Sequence, residues 1–151
     1  MARIKFQTPV IYDPDVVMFA KSRAFGRMGV NGVDIRIKRV YDEVSDDDGT
    51  RIFVDRLWPR GISKEKLKAD LWLKGVTPST DLRKWFHEDK NRFTDFKKNY
   101  LAELAMAGED MKTLEEKAGE GRITLLTAAK DPERNHVVIL KEYLQKSKSA
   151  P

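Results

Sequence analysis

Gly121-Arg122-Ile123-Thr124-Leu125-Leu126-Thr127-Ala128-Ala129-Lys130-Asp131-Pro132-Glu133 is the stretch on which the fold turns. Its first half is a near-continuous apolar run with Gly119 and Gly121 before it, the pattern of a central strand covered on both faces, and such strands belong to parallel sheets. Its second half is a polar loop. Asp131-Pro132-Glu133 then reads as a cap, a first-turn proline and an acid, which opens a last helix burying Val137, Leu140 and Leu144.

Working outward, three more strands precede this one. Ile35 and Ile37 alternate with Arg36 and Lys38, the period of a strand with one apolar face that ends at Arg39. The acidic turn Ser45-Asp46-Asp47-Asp48-Gly49 separates it from Arg51-Ile52-Phe53-Val54-Asp55-Arg56-Leu57, a buried strand, and Leu71-Trp72-Leu73 is a shorter third. Helices fill the gaps. Ser63 caps a short one, and Thr77 or Ser79 caps another that presents Leu82, Trp85 and Phe86 on one face. Phe93, Phe96, Tyr100, Leu101 and Leu104 form a third stripe before Gly108, and Met111 and Leu114 mark a further, shorter helix. Strands alternating with helices predict a small layered α/β fold: a mainly parallel sheet of about four core strands, flanked by helices, over residues 34–148. Residues 1–33 lack a sustained period and end in Gly26, Gly29 and Gly32. They read as an N-terminal extension, with Val16, Val17, Phe19 and Ala20 able to form one short helix.

Composition narrows the function. The 151 residues fit one domain, and 40% hydrophobic content with three Trp, seven Phe and four Tyr supplies core anchors that disordered chains lack. No segment approaches the roughly 18 apolar residues of a membrane span, and no apolar leader follows Met1, so the expectation is a cytoplasmic protein without a membrane role. The absence of Cys excludes disulfides, thiolate metal sites and cysteine nucleophiles. The formal charge is +5, and residues 51–100 hold the excess, with thirteen basic and seven acidic groups. Such a region attracts phosphorylated metabolites or nucleic acid, or it is a solvated charged surface.

Ligands of open parallel sheets bind beyond the carboxyl ends of the strands, where this sequence places Arg39, Asp55, Arg56, Trp58, Arg60 and Lys130. In Asp55-Arg56-Leu57-Trp58-Pro59-Arg60-Gly61, two guanidinium forks match phosphate or carboxylate oxygens and Trp58 offers a stacking face. The alternative is structural: Asp55 pairs with an arginine, Trp58 fills the core, and the arginines clamp chain carbonyls. The last helix offers its N-terminus and Lys130 to an anion, with Asn135 and His136 in its first turn. His87 and His136 are the only histidines, so Asp55, His87 and His136 are the candidates for proton transfer. No metal site is expected, since His87-Glu88-Asp89 fails the H-E-x-x-H spacing. Neither a P-loop nor G-x-G-x-x-G is present, so no cofactor is indicated. Nor is there a G-x-S-x-G elbow.

These residues carry a resemblance. Ile37–Asp42, Arg51–Ile62 with its Val-Asp-Arg-Leu-Trp-Pro-Arg-Gly run, Thr77–His87, and Thr124-Leu125-Leu126 with Ala129-Lys130-Asp131 and Asn135-His136 closely resemble the YeaO-like family, domain of unknown function 488. The likeness spans about residues 35–145. It implies a compact α/β protein and no assigned reaction. Where the family often has Tyr-Ser-Ala-Lys, this chain has Thr127-Ala128-Ala129-Lys130, which removes a hydroxyl nucleophile at position 128. Some members carry a transcription-regulator label, but no helix-turn-helix pattern supports it here. Two main functions stand beside each other: binding of, or chemistry on, a small anionic, phosphorylated or nucleotide-like ligand; and nucleic-acid binding through the basic middle third. A concave charge cluster at the strand ends favours the first, and a broad exposed basic face the second. A protein-interaction surface with a structural Arg/Asp network is the third.

Overall fold

The computed structural model describes residues 33–149; the short helix expected near residues 16–20 falls outside them. Four strands, β1 (Ile35–Arg39), β2 (Thr50–Phe53), β3 (Leu71–Trp72) and β4 (Ile123–Thr127), form one sheet in the order β1-β4-β2-β3. All three pairings are parallel, with Ile35 opposite Ile123, Ile52 opposite Leu125, and Ile52 opposite Leu71. The helices are α1 (Lys64–Leu67), α2 (Thr80–Glu88), α3 (Phe93–Leu104), α4 (Glu109–Glu120) and α5 (His136–Ser149). The expected parallel α/β architecture is therefore what the chain adopts.

The central position of β4 explains its composition. Every one of its residues is buried, because β1 and β2 flank its edges and both faces are covered. Ile123 and Leu125 share a core with Ile35, Ile52, Val54 and the inward faces of α2 to α5. Leu126 faces the other way and packs with Phe53, Val40 and Leu67 under the β2–β3 connection. Each such side chain contributes roughly 1.5–3 kcal/mol of burial. On α2 and α3, Phe86, Phe96 and Tyr100 stack at 4.3 and 5.8 Å between successive rings. The Tyr100 hydroxyl donates to the Val76 carbonyl at 2.5 Å, which satisfies the one polar atom of a fully buried ring. Burial pushes that phenol far above its ordinary pKa.

Two helix starts differ in detail from the sequence expectation. Ser79, not Thr77, caps α2 by accepting from Leu82 N–H, while the Thr77 hydroxyl donates to the Lys74 carbonyl. The last helix begins at His136 rather than at Pro132. Asp131 does accept from the N–H groups of Glu133 and Arg134, but it closes a turn there, and Asn135 caps α5 by accepting from Val138 N–H. The Asn135 amide also donates to the Asp131 carbonyl, locking the turn onto the helix.

The acidic turn holds a buried charge. Asp48 is 1% exposed; its carboxylate receives Lys38 at 2.9 Å, the backbone N–H of Ser45 and the guanidinium of Arg51, itself buried in β2. Burial alone would raise the Asp48 carboxyl, yet the Lys38, Ser45 and Arg51 contacts outweigh it and bring the pKa to about 2. Arg51 donates also to the carbonyls of Leu67 and Lys68, tying the turn to the end of α1. Gly49 closes the turn at φ 69°, where a Cβ would collide with the Arg122 carbonyl. Among the described residues, no helix is long and apolar enough to cross a membrane.

Candidate functional site

β2 and β4 are neighbours, yet the chain leaves them toward opposite faces: after β2 it covers the Phe53/Leu126 face, and after β4 it enters α5 on the other. Diverging connections open a crevice at the carboxyl ends of the two strands, the usual ligand position in such sheets. A cleft of about 690 Å³ lies there, within the span of small-molecule sites. One wall is the β2 loop with Tyr41 beside it; the other comprises α2, the turn after it and the start of α5.

Asp55 sits at its floor. Its Oδ1 accepts from the Thr127 hydroxyl at 2.7 Å and Oδ2 from Ala128 N–H at 2.8 Å, while His136 Nε2 lies 3.2 Å from Oδ1. The same Nε2 is 2.7 Å from the Val54 carbonyl. Two acceptors facing one ring nitrogen fix the hydrogen on Nε2, leaving Nδ1 free of bonds to the described protein. Burial pushes the Asp55 carboxyl up, but the hydrogen bond and charge of His136, with Thr127 and Ala128, hold it below the ordinary value. Asp55 therefore orients His136 and does not pair with an arginine, which corrects the ion pair that its neighbours in sequence suggested. The pair can hold an anion on a protonated ring or exchange a proton through Nδ1. Among the described residues the cleft lining offers no Ser or Cys, and its two threonine hydroxyls donate to the Lys74 carbonyl and to Asp55.

The structure brings most of the expected residues together. Asp55, Arg56, Trp58, Arg60, His87, Lys130, Asn135 and His136 all line the cleft. Arg39 does not; it donates to the carbonyls of Ala128 and Ala129 and braces the β4 loop from behind. Trp58 serves the core more than the cleft: it packs edge-on against Phe53 and Trp72, and its Nε1–H donates to the Ile62 carbonyl at 2.7 Å. Arg56 Nε donates to the Pro78 carbonyl, which ties the β2 loop to the start of α2. Asn135 is the α5 cap already described. Arg60 and Lys130 are exposed and reach no carboxylate within ion-pair distance among the described residues.

Three cations of the cleft were missed from the sequence: Arg83, Lys90 and Arg134. Arg83 falls one position after the apolar Leu82 of α2 and just before Lys84, and such a basic pair on an amphipathic helix reads as solvated. Its Nε is nevertheless buried with no hydrogen-bond partner. Lys90 holds its ammonium 5.0 Å from the Phe86 ring centroid rather than on a carboxylate. His87 is kept below its ordinary pKa by partial burial and by the neighbouring charges of Lys90, Arg83 and His136. Among the described residues no group of three or more His, Cys, Asp or Glu is arranged to hold a metal ion.

Fold and cleft together define a small α/β protein with a cationic, ligand-sized crevice at a point where the sheet's connections diverge. The chain belongs to the DUF488-N3i family, described as the inactive DUF488-N3 subclade, whose model matches residues 34–150. It is 46% identical over 113 residues to the uncharacterized protein YeaO of Escherichia coli (strain K12), covering 75% of this chain and 98% of that one. It is 36% identical over 110 residues to the uncharacterized protein Rv3073c of Mycobacterium tuberculosis (strain ATCC 25618 / H37Rv), covering 73% and 92%. No solved structure is significantly similar to the chain. The resemblance read from Val54–Gly61 and its companion segments is borne out.

Proposed function

We propose that this protein binds a small anionic, phosphorylated ligand in the cleft at the ends of β2 and β4. The observation that supports it is a charge imbalance in a concave site. Arg56, Arg60, Arg83, Lys90, Lys130 and Arg134 line the cleft with two histidines, against two carboxylates, Asp55 and Asp131, that are already hydrogen-bonded within the protein. Cations gathered in a partly enclosed space in excess of its carboxylates repel one another, and an anion relieves that repulsion. The concavity favours a small molecule over a nucleic-acid backbone, which needs a longer basic track. Binding without turnover fits both the missing nucleophile and the family's description as an inactive subclade.

The test is a thermal-shift screen of the full chain with inorganic phosphate, sugar phosphates, nucleotides and short RNA. A ligand at about 100 times its Kd stabilises the native state by roughly 2.7 kcal/mol. A rise with small phosphates that Lys130→Ala diminishes supports the reading. A rise with RNA alone, and affinity falling steeply with salt at a slope near −0.7 per phosphate contacted, would replace it with the nucleic-acid alternative.

A further inference from the structure

We infer that the ligand's charged group is a phosphate monoester dianion, seated between α2 and the start of α5 on Arg83, His87 and Lys90, opposite His136. The inference rests on the reading of the cleft as a site for a phosphorylated anion, and adds where the charge sits and that it is a terminal monoester.

Arg83 and His87 are four residues apart and so lie on one face of α2. Lys90 follows on the turn that continues it, and His136 opens α5 across the cleft. These four cationic or ionisable groups are close enough that Lys90, Arg83 and His136 all disfavour the charged form of His87. Asp55 sits against His136, but Arg83, His87 and Lys90 have no carboxylate within ion-pair distance among the described residues. Of the acids beside them in sequence, Glu88 pairs with Arg92 at 3.1 Å and Asp89 accepts from Asn91 N–H. Asp55 already accepts three hydrogen bonds, and Asp131 closes the turn before α5. The orphan Nε of Arg83 is a second sign: a buried donor of a charged group is left unpaired only at a cost, and a turn of this side chain toward an anion in the cleft relieves it.

The number and shape of these donors select the group. A guanidinium edge takes two oxygens, while an ammonium and an imidazolium take one each from other directions. That arrangement suits the oxygens of a tetrahedral dianion; a carboxylate, with two coplanar oxygens and one charge, leaves donors and cations unmatched. The cleft is also larger than phosphate alone requires. Its opposite wall presents Leu57, 66% exposed, with Tyr41, an apolar surface for the organic part of an ester.

Calorimetric titration of the full chain at pH 7 with phenyl phosphate, inorganic phosphate and benzoate tests this. Phenyl phosphate should bind more tightly than inorganic phosphate, and benzoate at least tenfold more weakly. Arg83→Gln and Lys90→Gln should each weaken phenyl phosphate tenfold or more, Arg60→Ala at the rim less than threefold, and Lys66→Ala on α1, outside the cleft, not at all. In the unaltered protein, saturating phenyl phosphate should raise the His87 titration midpoint, followed by the NMR signal of its ring C2–H, by about one unit. That measurement decides the matter should Arg83→Gln fail to fold. Equal affinity for benzoate overturns the phosphate class. A large loss in Arg60→Ala with an unmoved His87 titration overturns the subsite while the cleft remains an anion site. Failure of every phosphate compound to bind overturns both.

Discussion

Replacing Asp55 by Asn removes a charge and one acceptor while keeping the shape, and the hydrogen bonds around it fix the outcome. Oδ1 faces two donors, the Thr127 hydroxyl and His136 Nε2–H, and Oδ2 faces a third, Ala128 N–H. An amide has one oxygen. If that oxygen stays on the Thr127 side, its NH₂ confronts Ala128 N–H. If it flips, the NH₂ confronts His136 Nε2–H, which the Val54 carbonyl holds in place. Either way one partly buried donor is left unpaired, at about 1–3 kcal/mol, and the charge-assisted bonds weaken. A loss of about 2 kcal/mol corresponds to a melting temperature roughly 6–8 °C lower for a chain of this size. The folded pKa of Asp55 is depressed, so the stability it contributes is present above the unfolded carboxyl value near 3.9 and is lost as pH falls through the folded value. The gap between wild type and Asp55→Asn, measured by urea unfolding, should therefore be full at pH 7 and narrow below about pH 4. An unchanged melting temperature at pH 7 would refute the positioning role, and a gap constant from pH 7 to pH 3 would show that shape rather than charge is responsible.

Other substitutions probe the frame around the cleft. Asp48→Ala leaves Arg51 buried without its carboxylate, so urea unfolding should show a loss of about 3–5 kcal/mol. In wild type the depression of Asp48 from 3.8 to about 2 contributes about 2 kcal/mol, complete above pH 4 and lost as pH falls toward 2; acid titration followed by circular dichroism checks it. Gly49→Ala forces a side chain into left-handed backbone against the Arg122 carbonyl, and a melting temperature more than 5 °C lower is expected. Arg39→Met frees the carbonyls of Ala128 and Ala129 at about 1 kcal/mol, with faster hydrogen exchange of residues 128–135 as the readout.

The elements that the sequence announced are those whose burial writes a pattern. The near-continuous apolar run Ile123–Thr127 reads as a covered strand, and the stripe from Phe93 to Leu104 as an amphipathic helix. Where several polar groups compete for one role the sequence is mute. Asp131, Asn135 and Pro132 are all fit to start a helix, and only the hydrogen bond from Val138 N–H to Asn135 assigns the cap. Asp48 shares its turn with two exposed aspartates, and only Arg51 and Lys38, brought in by β2 and β1, distinguish it. The topological rule gathered Asp55, Arg56, Arg60 and Lys130 into one crevice. It could not supply the partner of Asp55, which lies 81 residues away in His136, nor tell that the polar side of α2 forms a cleft wall and brings Arg83 and Lys90 with it.

The central place of β4 has a consequence for how the chain is made. β1 and β2 never touch as a pair; each hydrogen-bonds to β4, whose first residue lies 88 positions after its partner Ile35. A ribosome working N-terminal first at roughly 5–20 residues per second therefore releases β1 and β2 several seconds before the strand that joins them. Until then β1 lacks its strand partner and β2 has only β3, and closing so long a loop into a parallel pair is intrinsically slow. The nascent protein is thus most exposed to mispairing with other chains just before Ile123–Thr127 emerges, and the insertion of that one strand builds the sheet and the floor of the cleft together.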